Sequence, residues 1–353
     1  MGRRRRNSHA LAAALLLASG CAQGGGGSDL GRSRSLGTDS GAADRADAGP
    51  GRPDASEDAA AARPPDVAGG APRDYVVSLL QVAGELPSGS GLCPGFDLDD
   101  HDTASAADAV GCGRADFTAP DRFGGERGVD SQIGQLLVEA AAAVPGFDAN
   151  AQLEGSVTRG STLLLVRLLD VGDSVDDGHV EVLLYLGQMA ASGTAPRTET
   201  TTWEAQTHLV LSSSQHFVID TRSVEAGDPA RPLIAFRDAW IEGGRLHTAP
   251  ARFTADIGLT GGRTLPLALE RARIAFDVVP GGLANGVIGG FLSVDDFSHA
   301  VVTLADNPAV TDGLVRTVVA PRADIDRDGV GGCESISLGL VLEAAPAVVD
   351  GVR

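Results

Sequence analysis

The sequence predicts a mainly β protein: an antiparallel β-sandwich or barrel-like domain with one or two short helices, after a disordered N-terminal segment. Three observations predict it. From Tyr75 onward, apolar runs of strand length alternate with Gly- and Asp-rich turns. Only Ser131–Val144 and Asp295–Leu304 carry helix-length apolar patterns. Residues 22–73 hold almost no large apolar side chains, so burial there cannot offset the entropy of ordering the chain.

In chain order, residues 1–20 read as a signal peptide. Arg3, Arg4, Arg5 and Arg6 precede a short apolar stretch from Ala10 to Ala18. At roughly 30 Å, a bilayer core is too thick for that stretch to span as a helix. Ala18-Ser19-Gly20-Cys21 resembles the lipobox of bacterial lipoproteins, which makes Cys21 the candidate lipidation site. The lipobox prefers Leu three places before the cysteine; Leu17 lies four places before it, and secretion with cleavage near Ala22 is the alternative. Ala22 and Gln23 follow Cys21, without the Asp that marks inner-membrane retention in some bacteria, so the outer membrane is the expected destination. Residues 21–73 then form a lipidated linker with a reach of roughly 40 Å. Residues 74–353 form the β-rich domain.

Within the domain, strands are expected at Tyr75–Val82, Ser161–Val171, His179–Gly187, Gln206–Ser212 and Gln215–Asp220. Leu233–Glu242 and Arg245–Ala251 flank Gly243-Gly244 as a hairpin, and Phe253–Leu259 with Thr264–Leu269 reads as a second. Arg271–Val279 and Ser335–Ala344 complete the set. The helix from Ser131 has Asp130 as its candidate N-cap and Pro145-Gly146 beyond its end.

All 28 basic residues are Arg, against 47 acidic ones, for a formal charge of −19. That balance argues against nucleic acid, whose phosphates need a basic groove, and favours cations as partners. The sharpest motif is Asp324-Ile325-Asp326-Arg327-Asp328-Gly329, in which alternate carboxylates present hard oxygens and the glycine permits a tight turn. In the EF-hand pattern the Val330 carbonyl would follow. Glu334 falls one place before the closing position, which Ser335 occupies. These residues are a candidate calcium loop over 324–334, with a solvated acidic turn as the alternative. A second acidic region, 97–130, offers Asp97, Asp99 and Asp130 as ligands, with Asp116 and Asp121 as extra ones.

The order of lipobox, low-complexity linker, early Asp-Leu-Asp loop, β-rich middle and late Asp-x-Asp-x-Asp-Gly resembles uncharacterised lipoproteins of myxobacteria and related deltaproteobacteria. The resemblance implies address and calcium, and no reaction.

Three cysteines remain in an oxidising compartment. Cys93–Cys112 is the expected disulfide, closing the inserted loop; Cys112–Cys333, which would join the two acidic loops, is the rival. No Cys or His pair has zinc spacing. His179, His208, His216, His247 and His299 are scattered and read as surface or edge residues. Trp240 reads as core, and Trp203 as a candidate sugar contact. Glu199, Glu204, Asp238 and Glu242 are the candidates for a glycosidase pair. The expectation is a tethered, calcium-stabilised envelope lipoprotein with a binding or structural role and no catalytic motif. Its candidate partners are the membrane through the lipid, a glycan or an envelope protein. The alternative is an extracellular polysaccharide hydrolase with structural calcium.

Overall fold

A computed structural model describes residues 63–353, apart from 88, 104, 106–109, 144–147, 192–193, 195, 204–205, 260–262, 306–307 and 328–331. Cys21, the signal and most of the expected linker therefore lie outside the described residues.

Eight strands build the centre: β1 (Arg73–Val82), β2 (Leu164–Leu169), β3 (Asp177–Met189), β4 (Ile234–Glu242), β5 (Arg245–Thr248), β6 (Arg263–Val279), β7 (Gly282–Ser293) and β8 (Ser335–Pro346). Each pairs antiparallel with its sequence neighbour, and β8 pairs with β1. The sheet thus closes as an up-and-down barrel, the barrel-like form of the expected fold, and closure removes the open edges of its eight strands. A further strand, Ala251–Leu259, pairs with the first half of β6. The pair Val348–Val352 and His216–Ile219 extends the sheet beside β3.

Register explains the two faces. Ile274, Ile288 and Leu340 lie opposite one another across β6, β7 and β8 and belong to the main core. Their neighbours Ala275, Val287 and Val341 form the next row and belong to a second, smaller cluster. With a side-chain period of two, these rows face opposite sides of the sheet. The first row fills the barrel. The second is covered from outside by Phe96, Val129 and Ile325, so this part of the wall is buried on both faces.

Among the described residues, four α-helices accompany the barrel: α1 (Gln132–Ala143), α2 (Ala149–Thr158), α3 (Val294–Ala305) and α4 (Asp312–Val319). α1 and α3 match the apolar patterns in the sequence; α2 and α4 are additional. Ile133, Leu153, Val301 and Val315, one from each helix, join the main core. The Asp148 carboxylate caps α2 by accepting from Ala151 N at 2.9 Å.

Several expectations need correction. β7 was not among the expected strands. β6 is continuous where two strands were expected, crossing Arg271 at a positive φ of 46°. Asp130 is not the N-cap of α1: the helix begins at Gln132, so Ser131 holds that position, and the Asp130 carboxylate accepts from Leu98 N at 2.8 Å. The expected Cys93–Cys112 disulfide is not formed: Cys112 is bonded to Cys333, and Cys93 is a buried free thiol. Residues 63–72, assigned by sequence to the linker, pack on the barrel. Gly178 N donates to Pro65 O at 3.1 Å, and Gly70 N donates to Val171 O at 3.3 Å.

Candidate functional site

The acidic region begins with a segment laid across the outer face of β7 and β8. Gly289 and Gly339 are opposite each other in the register. A Cβ at Gly289 would come within 2.6 Å of the Phe96 ring, and one at Gly339 within 3.1 Å of Pro94 O. The paired glycines are therefore a flat bed on which Pro94 and Phe96 rest. Asp130 N donates to Phe96 O at 3.0 Å, and Leu98 N donates to the Asp130 carboxylate at 2.8 Å. These two bonds hold the Asp97–Asp99 stretch against Asp130.

Carboxylate oxygens of Asp97, Asp99 and Asp130 lie within 4.8 Å of one another. His101 N donates to Asp97 Oδ1 at 3.1 Å and Asp99 Oδ1 at 3.0 Å. Gly128 lets the second segment approach: its φ is +76°, and a Cβ there would lie 2.8 Å from both Asp97 Oδ2 and His101 O. Asp116 stands nearby, its carboxylate accepting from Thr103 N at 2.6 Å and its own N–H donating to Thr103 O at 3.0 Å.

Asp324 arrives from the late acidic loop. It is 1 % exposed. Ser337 N donates to its Oδ1 at 2.9 Å, and Ser337 Oγ donates to its Oδ2. The Cys112–Cys333 disulfide, with Cα atoms 5.8 Å apart, ties the two acidic regions across 221 positions of sequence.

The electrostatics report the crowding. Burial pushes the Asp130 carboxyl well above the ordinary range, and the charge of Asp324 adds to that, followed by Asp99 and Asp116. Burial raises Asp324 as well, against the opposing hydrogen bonds from Ser337. Asp97 and Asp116 are each pushed up to about 6, chiefly by burial, and Asp99 is raised for the same reason. Nearby arginines are engaged at the rim. Arg273 bonds Glu126 at 3.1 Å and Asp97 O at 3.2 Å, Arg127 pairs with Asp102 at 2.8 Å, and Arg271 with Asp100 at 3.3 Å. Among the described residues, no Arg side chain pairs with the carboxylates of Asp97, Asp99 or Asp130. The arrangement is an oxygen-only, net-negative, partly dehydrated group, which suits a hard cation.

The sequence candidates divide. Asp97, Asp99 and Asp130 converge, and Asp324 and Asp116 join them electrostatically. Asp121 and Glu334 are exposed; the Glu334 carboxylate accepts from Arg327 N at 3.1 Å. Asp326 is half-buried and is not among the three converging carboxylates. Asp328 and Val330 lie outside the described residues. Ser337 was missed, although Glu334-Ser-Ile-Ser places Ser335 and Ser337 on one strand face. A second group, Asp170, His179 and Glu181, also has ligating atoms within 4.8 Å of one another, at the exposed ends of β2 and β3. There Glu181 pairs with Arg237 at 2.6 Å.

Elsewhere, burial raises the Cys93 thiol to about 12, leaving it protonated and unreactive. Asp238, one of the glycosidase candidates, is exposed and paired with Arg63; Glu204 is outside the described residues. Trp240 stacks on His247 with ring centroids 5.5 Å apart and carries the Arg63 guanidinium 4.1 Å above its ring. No helix among the described residues is long and apolar enough to cross a membrane. No family model, curated protein or solved structure matches this chain.

Proposed function

We propose that this chain is a calcium-stabilised lipoprotein of the cell envelope, held at the outer membrane through Cys21, whose barrel serves a binding or structural role. The observation that carries the calcium part is the group of Asp97, Asp99 and Asp130 oxygens within 4.8 Å, with no Arg paired to them among the described residues. Asp324 and Asp116 add negative charge beside it. Calcium takes six to eight oxygen ligands in flexible geometry, and the Asp97–Asp99 and Asp130 segments supply carboxylates next to the His101 carbonyl. The address rests on the lipobox-like ending and the composition of residues 22–62.

Thermal unfolding of the mature chain with calcium and with excess chelator tests the ion. A ligand at one hundred times its dissociation constant stabilises by roughly 2.7 kcal/mol. An upward shift of several degrees, absent in Asp130→Asn, is expected; equal melting with and without calcium would remove the ion from this reading. Mass spectrometry of Cys21 from native membranes tests the address, and an unacylated Cys21 would count against the anchor.

A further inference from the structure

At the end of the barrel where β1 finishes and β7 passes into α3 lies an apolar cavity of about 150 Å³. Leu338 and Leu340 of β8 form part of its wall, with Leu267 of β6, Leu137 of α1, Leu153 of α2 and Val301 of α3. Gln152 is the one lining side chain with polar atoms among the described residues. The mouth of a β-barrel and the spaces between helices are common places for small-molecule sites. An apolar cavity of roughly 150 Å³ takes a group of about six carbons, such as benzene.

A second chamber, of about 260 Å³, adjoins the first and shares Val82, Leu137 and Ala149 with it. Its lining is different in kind: Gln81, Glu85, Asp148 and Asn150 bring polar atoms to it. Asn150 is committed to β1, accepting from Val82 N at 2.8 Å and donating to Val82 O at 3.3 Å. Glu85 and Asp148 each accept one backbone N–H, from Gly91 at 2.6 Å and Ala151 at 2.9 Å, and keep a second carboxylate oxygen. Among the described residues no Arg or His lines either chamber.

We infer that the two chambers form one site for a small cationic amphiphile, with an apolar tail of about six carbons in the barrel mouth and an ammonium head beside Glu85 and Asp148. Size fixes the tail, since the apolar cavity has room for about six carbons and almost nothing to hydrogen-bond. Sign fixes the head. Two carboxylates in a chamber that no Arg or His lines among the described residues attract a cation and repel a carboxylate or phosphate, and the acidic chain as a whole biases the same way. None of Asp97, Asp99 and Asp130 lines either chamber.

The test is calorimetric titration of the mature chain, in calcium buffer, with n-hexylammonium, n-hexanol and hexanoate. Hexylammonium is expected to bind at least tenfold more tightly than hexanoate. Ala149→Phe, at a half-buried position lining both chambers, is expected to abolish binding. Leu137→Trp serves the same purpose should the first variant not fold. Glu85→Gln with Asp148→Asn keeps both hydrogen-bond acceptors and is expected to bring hexylammonium down to the affinity of hexanol. Failure of all three probes to bind at millimolar concentration overturns the inference. So do equal affinities for hexylammonium and hexanoate, or undiminished binding in a folded, cavity-filled variant.

Discussion

Asp177 and Asp130 are both buried carboxylates, at 0 % and 3 % exposure, and they solve the problem of burial in opposite ways. Asp177 opens β3 and accepts four backbone hydrogen bonds: from Gly172 N at 2.8 Å, Asp173 N at 3.2 Å, His179 N at 3.2 Å and Val67 N at 3.3 Å. Burial raises its pKa, but the four donors more than reverse this, and the carboxyl is held below its ordinary value. Asp130 has one backbone donor, Leu98, and the carboxylates of Asp97, Asp99, Asp116 and Asp324 around it; burial first and these charges next drive it upward. A buried aspartate is therefore no sign of a metal by itself. What matters is whether the protein's own N–H groups or an external cation must balance the charge.

That contrast sets the largest expected effect. Asp177→Ala strips the acceptor from four backbone donors. Unsatisfied buried donors cost about 1–3 kcal/mol each before water relieves some of them, so a loss on the order of 4 kcal/mol is expected. The loss should be the same in calcium and in chelator, as read from denaturant midpoints. Dependence on calcium at Asp177 would erase the distinction between the two aspartates.

Next is the disulfide. Replacing Cys112 and Cys333 with Ser releases a cross-link that spans 221 positions and ties the region of Asp130 to that of Asp324. Loss of such a bond costs roughly 2–4 kcal/mol. Because it joins the two acidic regions, the calcium-dependent share of stability should fall with it. A stability loss that leaves the calcium shift untouched would make the bridge a clamp on the chain and not part of the ion site.

Asp130→Asn acts with opposite signs in two conditions. In chelator it removes the cost of burying that carboxyl, and the repulsion with Asp324 and Asp99 that adds to it, so the variant should be more stable than the parent. In calcium it should be less stable, because a ligand is gone. Acidification gives the same information without mutation. Asp97 and Asp116 have folded pKa values of about 6, above the ordinary 3.8. A raised carboxylate contributes stability that is present below about pH 4 and lost as pH rises through 6. Chelated protein should therefore gain stability between pH 7 and pH 5, while calcium-loaded protein loses it as protons displace the ion. Parallel pH profiles in the two buffers would argue against an ion held by these groups.

Legibility in the sequence follows the same physics. Alternation and turn residues located most of the barrel strands, because each such signal is local. β7 escaped because Gly286, Gly289 and Gly290 weaken its apparent strand character. Gly289 is there to admit Phe96, a demand set by tertiary packing. Spacing identified Asp97, Asp99 and Asp130, but it did not show that Asp324 turns toward them and not into its own loop. That depends on Ser337 and on which cysteine Cys112 meets across the fold. Asp177-Gly178 is, by composition alone, only a turn-like pair. Its role as an acceptor for Val67, 110 positions away, has no local signature.

The smallest expected effect comes from a third carboxylate, Asp238, which is exposed and faces Arg63. Arg63 also lies 4.1 Å above the Trp240 ring, so the pair fastens residues 63–72 to the barrel through both charge and an aromatic face. Water already solvates Asp238, with its side chain 60 % exposed, so little is gained by pairing it. Arg63→Ala should cost under about 1 kcal/mol, with the ion-pair part fading in high salt and the Trp240 part remaining. Trp240 fluorescence should shift, since its ring loses its cover. A cost above about 2 kcal/mol would mean that residues 63–72 are integral to the barrel, because Val67 N reaches Asp177 from that same segment. The peripheral pair and the buried acceptor would then be two parts of one device, and the stability of Asp177 would depend on an anchor at the surface.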